Sequence, residues 1–258
     1  MVKRSTSVRK HPRIIKKKNG IIRRTSVKKH SRKVYVPPAW KKVKYYKNKP
    51  YLATGIDAKG RLQYIQDPVF KKRQSNKKFN RVNRLEKQIN PIKSKILRDV
   101  DKGNQEARVV YTIYKTGFRP GSDSDTLAER KAYGASTLLK NHVKLKPNNI
   151  VKFTFPSKKG GNVDQEIKDS RLSKIIKQQL TSKRLFGTDA NKVRKYFSKI
   201  TKNRFKLKDL RTLKAQNIAK QVSRKKDVTP KIIKEEVSLK LDNTPTVAGQ
   251  AYINPRLL

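Results

Sequence analysis

The chain contains ten tyrosines, three scattered histidines (His11, His30 and His142) and no cysteine. Disulfides, thiolate zinc sites and cysteine nucleophiles are therefore excluded together, and histidines so dispersed do not make a His-rich metal site. Covalent chemistry falls to tyrosine, serine, lysine, arginine or carboxylates. Against 18 acidic residues stand 68 lysines and arginines, a formal net charge of +50 in 258 residues. A dense polyanion neutralises such a field best, so nucleic acid is the default partner. Among cations that hold a phosphate, a tyrosine has a particular opportunity. A phenol of pKa ~10 is a poor nucleophile at neutral pH, but the same cations stabilise the phenolate that develops beside the phosphate.

Positioning such groups needs a folded frame, and at 34% hydrophobic the chain can bury one moderate core. No apolar run approaches the ~20 residues that span a bilayer, and the N-terminus lacks the apolar stretch of a secretory signal, so the chain reads as soluble and without a membrane partner. The first acidic residue is Asp57, which makes residues 1–56 an unbroken positive block. Within it Thr6-Ser7-Val8-Arg9-Lys10-His11-Pro12-Arg13 recurs as Thr25-Ser26-Val27-Lys28-Lys29-His30-Ser31-Arg32. Between the copies, Asn19-Gly20 separates two β-branched runs and signals a hairpin, while the charge alone equally fits a disordered tail that condenses on phosphates.

From Val34 the texture changes. Tyr51–Ile56 and Leu62–Gln66 read as strands joined by the turn Asp57-Ala58-Lys59-Gly60. The polar stretch Lys71–Lys78 has no apolar periodicity and reads as a linker. Helical patterns follow at about 93–101, 104–116, 126–139, 171–182, 190–202 and 208–224, and Thr229-Pro230 supplies a cap and first-turn proline for one more. Leu145, Ile150–Phe155 and Val163–Ile167 read as strands, the last two joined by the loop 156–162.

Five segments of this later region resemble the catalytic domain of type IB DNA topoisomerases, especially the compact viral and bacterial branch. They are Thr116–Gly121, Tyr133–Val143, Phe155–Glu166, Phe205–Ala215 and Leu241–Pro255. Ahead of them, Tyr35-Val36-Pro37-Pro38-Ala39-Trp40 and Ala53–Tyr64 look like the family's N-terminal module, which lies on the opposite side of the duplex. The resemblance implies an α+β fold, with a small β-rich N-terminal module followed by a mostly α-helical catalytic domain holding a three-stranded antiparallel sheet. It also implies a division into a basic tail (1–33), a DNA-clamp module with its linker (34–78) and a catalytic domain (79–258).

By the same resemblance Tyr252 is the nucleophile, Arg119 and Arg211 are the two arginines, Lys158 is the general acid, and Asn243 donates its amide to a non-bridging oxygen. A guanidinium suits its place because its planar fork can hold two oxygens of one phosphate and stays ionised. A lysine on a mobile loop can protonate the leaving 5′ oxygen once a crowded cationic site lowers its ordinary pKa of ~10.4. Lys159 directly follows Lys158, so which of the two is the acid stays open. The chain departs from the pattern at Ser157, where glycine is usual, at Gln250, which replaces a basic residue, and at Lys206, where relatives carry a small capping residue. Tyr64, Lys140, Lys159 and Lys208 are further expected DNA contacts. The implied reaction uses neither metal nor ATP, since a 3′-phosphotyrosyl bond preserves the energy of the broken phosphodiester. The implied partner is double-stranded DNA, clamped by a monomer, wherever DNA lies in the cell or virus particle.

Two other readings compete. A tyrosine recombinase shares the Arg, Lys, Arg, Tyr chemistry, but its usual His-x-x-Arg box has no counterpart at Arg211, which Lys208, Asp209 and Leu210 precede. A DNA-packaging protein would explain residues 1–56 and their repeat without any covalent step.

Overall fold

The computed structural model describes residues 14–16, 22–24, 27–29, 32–127, 129, 131–181 and 183–258, with side chains from residue 34 onward except that of Lys159. The architecture is the α+β arrangement expected, with short strands first and a helical region around one sheet after them. The chain divides into two compact units, Met1–Lys77 and Lys78–Leu258.

In the first unit, β1 (Ile14–Lys16) pairs antiparallel with β2 (Ile22–Arg24), and β3 (Val27–Lys29) with β4 (Arg32–Val34). The Asn19-Gly20 turn and the first copy of the repeat lie outside the described residues. A three-stranded antiparallel sheet follows, ordered β5 (Lys41–Tyr45), β6 (Tyr51–Ile56), β7 (Leu62–Gln66). Its turn is built by Asp57, whose Oδ1 accepts from the amides of Lys59 (3.0 Å) and Arg61 (2.9 Å). The Arg61 side chain and these amides hold the carboxyl down at about 2. Val34, Val36, Leu52 and Ala53 form a small core, with Trp40 packed against it.

The second unit is built on α1 (Pro68–Asp101) from Lys78 onward, α2 (Gln105–Thr116), α4 (Ser170–Gln179), α5 (Ala190–Ile200), α6 (Leu207–Val222) and α7 (Pro230–Leu241), with short helices α3 (Asp123–Thr126) and α8 (Pro245–Val247). Its antiparallel sheet has the order β10 (Asn162–Lys168), β9 (Ile150–Pro156), β8 (Val143–Lys146). Phe153, Phe186 and Phe197 are fully buried in the main core, which gathers residues from α1, α2, α4, α5, α6 and the sheet. Among the described residues no helix is long and apolar enough to cross a membrane.

Two sequence expectations are corrected. Residues 71–78 are not a linker in secondary structure but lie inside α1, which begins 25 residues before the periodic segment at 93. Asp67 starts the helix by accepting from the amides of Val69 (2.8 Å) and Phe70 (3.3 Å), with Pro68 in the first turn. Lysine, arginine and glutamine then sustain it without an apolar stripe. The expected helix at 126–139 is absent beyond Thr126 among the described residues. Backbone amides there bond elsewhere: Tyr133 to Pro156 O (2.9 Å), Ala135 to Arg119 O (2.8 Å) and Ser136 to Pro120 O (2.8 Å). Gly134 permits this approach, since a Cβ on it would stand 2.6 Å from the Arg119 carbonyl oxygen.

Candidate active site

Arg119 follows the C-terminus of α2, where Gly117 adopts the left-handed conformation (φ 77°) that ends a helix without a Cβ penalty. Phe118 locks the segment in place by standing edge-on to Phe153 (5.1 Å) and Phe155 (5.0 Å). The Arg119 guanidinium donates through Nη2 to Asn243 Oδ1 at 2.8 Å. Asn243 is delivered by the end of α7, where Asp242 turns the chain with φ 47° and the Asn243 amide returns to Ser238 O at 3.0 Å.

Arg211 sits in the second turn of α6 and is 5% exposed. Its two terminal nitrogens donate to the carbonyls of Gly117 and Leu241. These carbonyls close the C-terminal ends of α2 and α7, the negative ends of both helix dipoles. The guanidinium thereby neutralises the ends of two helices other than its own. Burial draws the group below the ordinary arginine range, opposed by the Tyr252 phenol beside it. Its carbon stands 5.1 Å from the centre of the Tyr252 ring.

Tyr252 ends a π-helical turn, Ala248–Tyr252, whose closing bond runs from Ile253 N to Ala248 O at 3.0 Å. Ala248 and Ile253 are fully buried and anchor the turn against α6 and α7. Two side chains then hold its backbone. Gln216 Nε2 donates to the Tyr252 carbonyl, and Lys78 Nζ donates to that of Ala251 at 2.7 Å. Burial first, and then the neighbouring charges of Lys208 and Arg81, lower the Lys78 pKa.

Arg119, Arg211 and Asn243 line one cavity of about 280 Å³ together with Phe118, Tyr133 and Ser157. Two buried donors on these residues, Arg211 Nε and Asn243 Nδ2, have no protein partner among the described residues. Leaving such a donor unpaired costs about 1–3 kcal/mol, so both are available to an acceptor such as a water or a ligand oxygen. With two guanidinium groups at the same place, an oxyanion is the acceptor that fits.

Lys158 is not brought to this group. It occupies the turn Lys158–Gly160 at the tip of the β9–β10 hairpin, and its exposed ammonium lies 3.3 Å from Asp125 Oδ1. Lys159 follows in the same turn, with its side chain outside the described set. Of the other expected DNA contacts, Lys140 and Lys208 are exposed on the second unit. Tyr64 is half-exposed on the first, edge-on to Tyr51 at 5.3 Å.

Supporting residues escaped the sequence reading. Asp209 is completely buried, accepts two bonds from Arg81 (2.6 and 2.8 Å) and accepts from the Lys206 amide at the start of α6 (2.8 Å). It thereby supplies the reciprocal half of a capping box, while Lys206 makes no side-chain cap bond of its own. The Asp209 capping role had a local signal in its spacing of three from Lys206. The roles of Arg81, Lys78 and Gln216 had none.

The model of the eukaryotic DNA topoisomerase I catalytic core matches residues 67–248. This chain belongs to that family. The match ends just before the part of the π turn that holds Tyr252. Among curated proteins, the DNA topoisomerase 1B of Acanthamoeba polyphaga mimivirus is 25% identical over 256 residues, covering 86% of this chain and 76% of that protein.

Proposed function

We propose that this protein relaxes supercoiled double-stranded DNA as a type IB topoisomerase, with Tyr252 as nucleophile. Family membership supplies DNA as the substrate. The observation that supports the residue assignment is that Arg211 and Asn243, each with a buried donor lacking a protein partner, line one cavity while the Arg211 guanidinium carbon stands 5.1 Å from the centre of the Tyr252 ring. In this reading a non-bridging oxygen takes the two vacant donors, and Arg119 adds a third. The Tyr252 phenol gives up its proton to solvent as its oxygen bonds to phosphorus, the 5′ oxygen leaves with a proton from Lys158 or its neighbour Lys159, and the strand end stays on the protein as a 3′-phosphotyrosine. Charge on the pentacoordinate phosphorane grows next to two guanidinium groups, one of them removed from water, where each donor counts for more than it does in solvent. Rotation of the free end followed by reversal of the attack releases supercoils of either sign. All the groups named come from a single copy of the chain, so a monomer suffices.

Arg119, Arg211 and Asn243 are preassembled, whereas the lysine is displaced toward Asp125. That division suits a reaction whose acid is needed only when a 5′ oxygen is present to receive the proton. The lysine side chain would swing in from the hairpin tip once DNA phosphates compete with Asp125 for it. Tyr64, Lys140 and Lys208 would add contacts to the duplex, and the basic residues before Asp57 sequence-independent attraction.

The test is incubation with one supercoiled plasmid in EDTA. The native protein should yield a ladder of relaxed topoisomers and transfer a 3′-phosphate label to a single tyrosine. Tyr252→Phe should abolish both while retaining DNA affinity, since it removes one hydroxyl and no charge. Relaxation by that variant would overturn the assignment, and a requirement for paired sites would favour the recombinase reading.

A further inference from the structure

The hairpin that carries Lys158 is tied to the segment that carries Asn243 by a contact neither residue makes itself. Ser157 is 4% exposed and donates its hydroxyl to Asp242 Oδ2. The loop closes beneath this bond, with the Ser157 amide donating to Gly161 O at 2.7 Å. Gly161 packs so tightly there that a Cβ on it would stand 2.9 Å from Ser157 Oγ and 3.0 Å from Asp242 Oδ1. One strand further on, Gln165 Nε2 donates to Lys240 O at 2.9 Å, a second tie between the hairpin and the end of α7.

Asp242 adopts a left-handed backbone (φ 47°) that glycine fills without strain. Asp242 caps α7 through its backbone amide, so its carboxylate is not needed for that task. It is used across the gap to the hairpin.

We propose that Ser157 and Asp242 are positioning residues for strand cleavage, forming a latch that sets the lysine-bearing loop against the Asn243 segment. The reasoning rests on the proposed role of that loop as the source of the acid. Consecutive Cα atoms are ~3.8 Å apart across a trans peptide, so a bond between residues 157 and 242 places their neighbours 158 and 243 in one frame. Without it the hairpin tip is held to its surroundings by the Gln165 tie, the Tyr133 amide on Pro156 O and the exposed Lys158–Asp125 pair. The acid then samples more positions, and proton transfer slows while phosphate binding by Arg119, Arg211 and Asn243 is left intact.

The test compares single-turnover cleavage of two DNA strands that differ at one atom, a bridging 5′ oxygen or a bridging 5′ sulfur at the scissile phosphate. A thiolate leaves without being protonated, so only the oxygen substrate needs the acid. Ser157→Ala and Asp242→Gly should slow cleavage of the oxygen substrate by about tenfold or more and leave the sulfur substrate nearly unaffected. Asp242→Asn should behave like the native protein, because its amide oxygen still accepts from Ser157 and asparagine tolerates the left-handed conformation. Asp242→Gly keeps that conformation at no strain, so a lowered melting temperature is not expected and cannot explain its defect. Equal slowing on both substrates, or native rates in Ser157→Ala and Asp242→Gly, would overturn the latch. Lys158→Ala tests the underlying reading separately. Sulfur rescue of the latch variants without rescue of Lys158→Ala would keep the latch and move the acid to Lys159.

Discussion

Replacing Arg81 by alanine should destabilise this protein substantially. The Arg81 side chain is 19% exposed and its partner Asp209 is fully buried, joined by two nearly parallel bonds of 2.6 and 2.8 Å. After Arg81→Ala the carboxylate keeps the Lys206 amide and the start of α6 but loses its counter-charge. Breaking a buried pair from one side costs about 3–5 kcal/mol, a large share of a total stability of about 5–15 kcal/mol. With a urea m-value near 3 kcal/mol/M, the unfolding midpoint should fall by about 1–1.7 M. Far-ultraviolet circular dichroism is the suitable probe, because the single tryptophan, Trp40, lies in the first unit. Arg81→Lys retains the charge but not the fork and should fall between the two. Relaxation should decline with the fold, since Arg211 is two residues beyond Asp209 on the same helix. A midpoint shift below about 0.3 M for Arg81→Ala would refute the reasoning, for it would mean that the carboxylate is supported without its arginine.

Three further outcomes can be checked. Gly134→Ala places a Cβ 2.4 Å from Gly121 N and 2.6 Å from Arg119 O, so it should lower both melting temperature and cleavage rate, whereas Gly103→Ala meets nothing within 4 Å and should cost only about 1 kcal/mol for its positive φ; equal effects would contradict this. Burial lowers the pKa of His142, whose Nδ1 accepts from the Leu139 amide at 3.2 Å, so its contribution to stability should be complete above the unfolded value of ~6.5 and be lost as pH falls through the lower folded value; thermal melts at pH steps should show this slope, and His142→Asn should flatten it. Deleting residues 1–33 should weaken DNA binding and reduce its salt dependence while leaving cleavage by bound protein intact; an unchanged slope in a titration against salt would count against a phosphate-binding role for the tail.

The parts of this structure that the sequence made legible are those decided within a few residues. Strands β6 and β7 fall where alternation and the Asp57–Gly60 turn put them, and Thr229-Pro230 opens α7. The start of α1 was legible too, in Asp67-Pro68, but the polar residues after it obscured the signal. The helix expected after Thr126 failed because its amides are claimed by Arg119, Pro120 and Pro156, choices that no local pattern records. The site divides in the same way. Arg119, Arg211, Asn243 and Tyr252 stand in recognisable segments, yet what holds them is remote in the chain. Arg211 reaches carbonyls 94 and 30 residues away, and Lys78 reaches one 173 residues away. Only the fold brings such partners together.

The π turn beneath Tyr252 has a consequence of its own. An α-helical turn advances about 100° per residue, so the one residue that a π turn adds swings everything after it by roughly that angle. The aim of the Tyr252 ring at Arg211 is thus set by how many residues lie between Pro245, which begins the segment, and Ile253, which seals it. Counting, not chemistry, is what those intervening positions contribute. Thr246, Gly249 and Gln250 should accept many replacements, but loss of any one of them would turn the tyrosine away from its arginine.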